Sequence, residues 1–296
     1  MIAWKSNLPI IRQSVYYWRL ISTQLLYFDH YALKRTRFII PKPKRVMGYQ
    51  SQLAKLYNKH KDKRCFIIAN GPSLANMDVE FLKNEITIGC NGLYKNFEKW
   101  GFHTNYLVFE DIEQFEIRAP ELKNVQGPIK MAAIYNSYAL SDRSEWIFFN
   151  SPRCMTNELF YWDEMELYPQ FSSDFSSIVH LGGSVTYIML QLAYFLGCNE
   201  VYLLGLDHNY GKLPELFPPG KIEITEENYH LVQECHFDKN YYKIGNVIGV
   251  PWIKKQEQAY EKALEVFNKA GRKIINLSEG SMLNVFAKAH YTSVLK

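Results

Sequence analysis

The sequence predicts an α/β fold in which a mainly parallel sheet carries helices on both faces, with a lid insertion late in the chain and an amphipathic helical extension at its start. Three observations carry that prediction. From about residue 64 onward, short runs rich in β-branched and aromatic residues alternate with helical patterns, which is the texture of a covered parallel sheet. Several of those runs end directly in glycine-containing turns, as at Asn70-Gly71-Pro72-Ser73. The texture changes just after the charged stretch Lys61-Asp62-Lys63-Arg64, which places the start of the sheet there. Together they describe a Rossmann-like arrangement.

Seven runs read as strands: 65–69, 86–91, 106–110, 129–133, 146–149, 201–206 and 273–277. The two clearest helical patterns are 185–196, apolar on nearly all sides, and 254–270, amphipathic and ended by Gly271. Residues 211–249 read differently. Pro214, Pro218 and Pro219 open that stretch, and a polar, tyrosine-rich part without sustained period follows. A long irregular insertion inside a domain points to a lid.

Residues 1–48 form a separate extension, and residues 49–296 the main domain. In the extension Ile10, Ile11, Val15, Trp18, Ile21, Leu25 and Phe28 recur near helical spacing, among Arg12, Arg19, Lys34, Arg35, Arg37, Lys42 and Lys44. Such a helix has two readings, contact with an anionic membrane surface and packing on its own domain or a second subunit in a homo-oligomer.

Composition narrows the class. The chain has 296 residues, 47% hydrophobic and 22% charged, the balance of an ordinary folded protein. A net charge of +4 suits anionic ligands but is too small for the usual nucleic-acid binder. Five cysteines without a C-x-x-C pair indicate neither a disulfide framework nor a zinc site, and favour a reducing, cytoplasmic setting. No signal peptide and no membrane-spanning stretch are read.

In parallel sheets ligands sit beyond the carboxyl ends of the strands, so the residues there are the candidates. Gly71 lets backbone approach an anion and Ser73 can cap the next helix, although Pro72 offers no donor. An ordinary strand-ending turn is the alternative. Asn91, followed by Gly92, can hydrogen-bond a ribose or base edge. Gly183 and Ser184 precede the most apolar helix and make a second anion seat, or else a close helix–sheet contact. After the strand 201–206, Asp207 can orient a partner or bind a sugar hydroxyl, and Tyr210 can donate to a departing phosphate. Glu110 and Asp111 can hold Mg²⁺ against a nucleotide or stand by. In the lid, His236 accompanies Asp238, Tyr241 and Tyr242; a histidine there titrates near neutrality and can take a proton from an acceptor hydroxyl, with a purely structural histidine as the alternative.

This ordered set resembles the MptE-like family. Its namesakes are archaeal 6-hydroxymethylpterin diphosphokinases, and many bacterial members lie in surface-glycan or flagellin-glycosylation loci. The layout from Tyr49 onward is also similar to that of bacterial sialyltransferases that cap lipooligosaccharide using CMP-sialic acid. The sialyltransferase resemblance implies nucleotide contacts at Asn70, Gly71, Ser73 and Asn91, a donor sugar or phosphate near Gly183 and Ser184, and support of the leaving phosphate by Tyr210 with Tyr241 or Tyr242. It implies His236 as general base, with His230 or His208 as substitutes. Asp111 stands where those enzymes carry a neutral amide, which leaves a metal-dependent reaction open.

The expected activity is therefore inverting glycosyl transfer in surface-glycan or lipopolysaccharide assembly, from a nucleotide-sugar, foremost a CMP-activated nonulosonic acid, to a glycan or lipid-linked acceptor. No cofactor is required for it. The first rival is a Mg²⁺-dependent diphosphokinase using ATP on a pterin-like alcohol; the second is a silent nucleotide-binding module that docks glycan machinery to the membrane. The expected location is cytoplasmic, peripheral at the inner face of the membrane, with no nucleic acid as partner.

Overall fold

Period-two alternation organises the first strand, β1 (Arg64–Ile68): Cys65 and Ile67 enter the core on one face of the sheet, Phe66 and Ile68 the core on the other. The computed structural model describes residues 50–140, 142–151 and 169–295. The extension 1–48 with its amphipathic pattern, and Cys154, lie outside the described residues.

The other strands of the sheet are β2 (Ile86–Cys90), β3 (Tyr106–Phe109), β4 (Ile129–Ala133), β5 (Trp146–Phe149), β6 (Glu200–Leu204), β9 (Lys273–Asn276) and the two-residue β10 (Ala287–Lys288), while β7 (Gly220–Glu223) and β8 (Val247–Val250) pair elsewhere. The eight-stranded order is β10-β9-β6-β1-β2-β3-β4-β5, and every pairing in it is parallel. Strands 65–69 through 273–277 of the sequence reading are all present, shifted by no more than a residue or two at their ends.

Three longer helices serve the sheet: α1 (Ile112–Leu122), α2 (Val185–Phe195) and α3 (Ile253–Lys269). Helix α2 is buried along almost its whole circumference, as its apolar sequence requires. Gly182 brings α2 and α3 together, because a Cβ there would lie 2.4 Å from the Tyr187 ring and 2.8 Å from Ala259. The buried amide of Gln191 ties the preceding loop to α2, accepting from the backbone N–H of Ser172 (3.0 Å) and His180 (2.9 Å) and donating to the His180 carbonyl (2.7 Å). The opposite face of the sheet is covered by 3-10 turns, Pro72–Asn76, Glu80–Asn84 and Tyr291–Val294, over Phe66, Ile68, Tyr202 and Leu204.

The lid segment has more order than its sequence suggests. Strands β7 and β8 form an antiparallel hairpin whose core is Leu213, Ile224, Val232, Ile248 and Val250. The hairpin joins segments far apart in the chain, so local periodicity cannot reveal it. No helix among the described residues is long and apolar enough to cross a membrane, and Cys65, Cys90, Cys198 and Cys235 are free and buried.

Removing buried volume from α2 should be costly: Leu190→Ala, at a fully buried position, is expected to lose about 2–5 kcal/mol in a urea melt. Leu216→Ala, in the lid and 59% exposed, should stay within about 0.5 kcal/mol of the parent.

Candidate functional site

From β1 the chain builds outward through β2, β3, β4 and β5, then crosses to the other side of β1 to make β6. The β1/β6 boundary is thus the topological switch of the sheet, the place where ligands bind beyond the strand ends. The turns at 70–73 and 205–210 meet there. Gly71 N–H donates to the Gly205 carbonyl at 2.8 Å. A Cβ on Gly71 would lie 2.5 Å from that carbonyl and 2.7 Å from the Asp207 carboxyl carbon, so only glycine fits. Asp207, 7% exposed, accepts from the Ser73 N–H at 2.7 Å and from the Ser73 hydroxyl.

This corrects one sequence expectation. Ser73 begins no α-helix; the turn Pro72–Asn76 is a short 3-10 segment, and both Ser73 donors are spent on Asp207. Asp207, read as a residue that orients a partner or binds a sugar hydroxyl, orients Ser73 and braces the turn. Burial raises its pKa above the usual carboxylate value and the two Ser73 hydrogen bonds oppose that rise.

On the β2 side, Asn91 adopts a left-handed backbone (φ 48°), an uncommon conformation that clusters at functional sites. Asn70 donates to the Cys90 carbonyl at 3.3 Å, while the side-chain oxygens of Asn70 and Asn91 are buried without a partner. The lid closes over this side. Phe237 N–H donates to the Asn70 carbonyl at 2.9 Å, Gly92 N–H donates to the Tyr241 hydroxyl at 3.0 Å, and Lys221 pairs with Glu113 of α1. His236 stacks on Tyr241, with ring centroids 4.1 Å apart, and meets Tyr242 edge-on at 5.0 Å.

Burial, with Arg118 nearby, pushes the His236 pKa down to about 3, so this imidazole is neutral at pH 7 and does not titrate near neutrality as its loop setting suggested. Burial also drives the Tyr242 phenol well up, followed by the influence of Tyr241; Asp111 acts on it in the same sense.

On the α2 side, Ser184 caps the helix by accepting from the Thr186 N–H at 3.1 Å, and Gly183 takes a left-handed turn (φ 72°) whose carbonyl accepts from Gln256 at 2.7 Å. Tyr210 donates to the same Gln256 at 3.0 Å, so its proton is committed to the protein and not to a phosphate in this state. His208 is left-handed (φ 52°) and buried, and neither ring nitrogen has a hydrogen-bond partner. Its nearest carboxylate is Glu257, at 3.6 Å. His230 is exposed on the short lid helix Tyr229–Gln233, away from these contacts.

Asp111 is the N-cap of α1, accepting from the Gln114 N–H at 2.7 Å, and Asn136 donates to the Glu110 carbonyl at 2.9 Å. Among the described residues, no three His, Cys, Asp or Glu side chains converge on a metal position. A Mg²⁺ ion bound with a nucleotide needs only one or two carboxylates; Glu110 and Asp111 are the pair at this strand end, and one Asp111 oxygen already caps α1.

The contacts thus join the strand-end candidates in groups, the 70–73 turn with Asp207, Gly92 with Tyr241 and His236, and Gly183 with Tyr210, and bring in three residues the motifs did not signal: Gln114, Arg118 and Gln256. Gln114 and Arg118 lie on the buried face of α1 with Phe115, Ala119 and Leu122, and Gln256 shares the buried face of α3 with Ala259, Tyr260 and Ala263. A polar residue in register with an apolar helical stripe was the available signal.

A family model described as 6-hydroxymethylpterin diphosphokinase MptE-like matches residues 44–212. No curated protein matches the chain. Among solved structures, a MAf glycosyltransferase from Magnetospirillum magneticum AMB-1 is 13% identical over 87% of this chain, with TM-score 0.47; this chain spans 40% of its length. The sialyltransferase CstII from Campylobacter jejuni, solved in complex with a substrate analogue, cytidine-5'-monophosphate, is 16% identical over 77% of this chain and 86% of its own, with TM-score 0.41. A second sialyltransferase CST-II structure, with trisaccharide acceptor and CMP, is 18% identical over the same 77% and 86%, with TM-score 0.38.

Two outcomes test the site. Asp207→Ala strips both acceptors from Ser73 and should cost about 2–4 kcal/mol in a denaturant melt, whereas Asp207→Asn, which can still accept from the N–H, should lose less than half of that. For His236, the folded value of about 3 lies below the ordinary 6.5, so between those pH values the unfolded chain binds the extra proton. Stability should fall on acidification through that window by up to about 1.4 kcal/mol per pH unit, and His236→Gln should flatten the profile.

Proposed function

Since the chain belongs to the 6-hydroxymethylpterin diphosphokinase MptE-like family, we propose that it is a nucleotide-dependent group-transfer enzyme working at the β1/β6 crevice, and that the group is a sugar taken from a nucleotide donor. The observation that carries the proposal is the set of buried polar atoms without hydrogen-bond partners at the strand ends, on α1 and in the lid: the side-chain oxygens of Asn70, Asn91 and Gln114, Nε of Arg118, Nδ1 of His236 and Nδ1 of His208. Buried polar groups are nearly always satisfied. Such a set of exceptions is best explained by a polar ligand that completes it.

The donors present are amides, phenols, imidazoles and one guanidinium, which suit the loss of a single nucleoside phosphate. In the proposed reaction His236 accepts the proton of the acceptor hydroxyl. The acceptor oxygen bonds to the anomeric carbon as the bond to the donor phosphate breaks, and the phosphate leaves with the electron pair. His236 is a weak base in the free protein, but an anionic phosphate beside it favours the imidazolium and raises its basicity. Tyr241 and Tyr242, ring to ring beside His236, would receive the departing charge. We assign the donor to the CMP-activated nonulosonic acids and the acceptor to a surface glycan, lipid-linked if the basic pattern of residues 8–40 meets a membrane.

The family description favours a second reading, transfer of a diphosphate from ATP to a pterin-like alcohol. There Asp111 and Glu110 would hold Mg²⁺, which supplies the neutralisation a triphosphate requires.

Thermal shifts with CMP, UDP, GDP and ATP, each with and without Mg²⁺, separate the two, since a bound ligand raises apparent stability. CMP shifting the transition without metal is the outcome expected here; a shift by ATP confined to Mg²⁺, with CMP inert, would favour the second reading. His236→Ala should lower kcat by about 10²–10⁴-fold while changing nucleotide affinity little.

A further inference from the structure

We infer that Arg118 is the seat for an oxyanion of the bound ligand, a carboxylate or a phosphate, and that Tyr241 covers that seat in the ligand-free, lid-closed protein. The inference rests on the nucleotide-dependent reading of the crevice and assigns it its cationic anchor.

Arg118 projects from the buried face of α1 and is 2% exposed. A guanidinium so enclosed normally has a carboxylate partner, because an unpaired buried charge costs far more than packing returns. Among the described residues two other enclosed cations follow that rule, whereas the half-buried Arg272 has the Tyr194 carbonyl and ring instead. Arg64 is paired with Glu85, and Lys130 with Glu145 and the Val125 carbonyl. Arg118 does not. Among the described residues no carboxylate lies within ion-pair distance of it; Glu121, one turn along α1, accepts from the Tyr94 hydroxyl instead.

What Arg118 has is partial. Nη2 donates to the Tyr241 carbonyl at a long 3.4 Å, Nε has no partner, and the Tyr241 ring lies with its centroid 4.5 Å from the guanidinium carbon. A cation–π contact of this kind offsets only a fraction of the lost hydration.

The surroundings keep this position for a ligand. Gly92, at the end of β2, faces both groups: a Cβ there would sit 2.6 Å from the Tyr241 ring and 3.0 Å from Nη2. The backbone thus approaches the guanidinium where any side chain would block it. The partnerless Nδ1 of His236, stacked on Tyr241, and the partnerless side-chain oxygen of Asn91 adjoin the same place. An arginine fork recognises the planar edge of a carboxylate or two phosphate oxygens equally well. When the oxyanion arrives, Tyr241 must give up the ring face it presents, which couples filling of the seat to movement of the lid.

The test is a set of thermal shifts on the full-length protein and on Arg118→Gln and Arg118→Lys, with inorganic pyrophosphate as the phosphate source and N-acetylneuraminate as the carboxylate source. CMP and cytidine are measured in parallel. One of the two anions is expected to stabilise the parent, its affinity falling at least about tenfold in Arg118→Gln and less in Arg118→Lys, which keeps the charge but not the fork. Without added anion, Arg118→Gln should melt at or above the parent temperature, because the residue it removes is an unpaired buried cation; a merely structural arginine would give the reverse. Equal anion shifts in parent and Arg118→Gln would overturn the inference, as would a parent that responds to CMP but to neither anion. Should Arg118→Gln fail to fold, an unchanged anion affinity in Arg118→Lys overturns it and a reduced one supports it. Anion binding that depends on Arg118, with CMP inert, would retain the seat and sink the nucleotide reading.

Discussion

The hydrogen-bonded clasp between the ends of β1 and β6 is the constraint on which the rest of the site depends. Asp207 receives both donors of Ser73, and Gly71 lies directly against the Gly205 carbonyl. Neither strand end can move alone. The clasp fixes Asn70 beside Cys90 on one side and sets His208 into its left-handed turn on the other. A carboxylate that was legible as chemistry is thus spent on geometry, and it fixes the switch point of the sheet.

Around the clasp the environment is dry, and this sets the protonation states. Burial pushes the imidazoles of His208 and His236 down and the phenols of Tyr210, Tyr241 and Tyr242 up, so each is neutral at physiological pH. The lid produces much of this dryness. Its hydrogen bonds to Asn70 and Gly92, and its ion pair from Lys221 to Glu113, close over the β1 and β2 ends and over α1. The site is one of neutral donors with one buried cation, Arg118, which no carboxylate among the described residues pairs.

The fold was legible because each central strand, such as β1 or β6, is a short β-rich run closed by a glycine turn, and because α2 and α3 carry their own caps and periods. Helix α1 was less visible: Pro120 stands within it, and its inward stripe mixes Gln114 and Arg118 with Phe115, Ala119 and Leu122. The β7/β8 hairpin joins Gly220 to Val250 across the whole lid, a pairing that no local pattern encodes. For the site, Asn70, Asn91 and Tyr241 were legible as polar or aromatic residues at strand ends and in the lid. The use of Ser73 was not, since its partner Asp207 comes from the next strand across the switch. The same limit applies to Tyr210, whose partner Gln256 lies on α3.

The account stands most directly on a structure determined with CMP bound. Expected are hydrogen bonds from the ligand to Asn70 and Asn91 and, if its phosphate fills the Arg118 seat, the Tyr241 hydroxyl displaced from Gly92. Density for the nucleotide elsewhere on the surface, with the Tyr241–Gly92 contact intact and the β1/β6 crevice filled by the protein's own side chains, would contradict it.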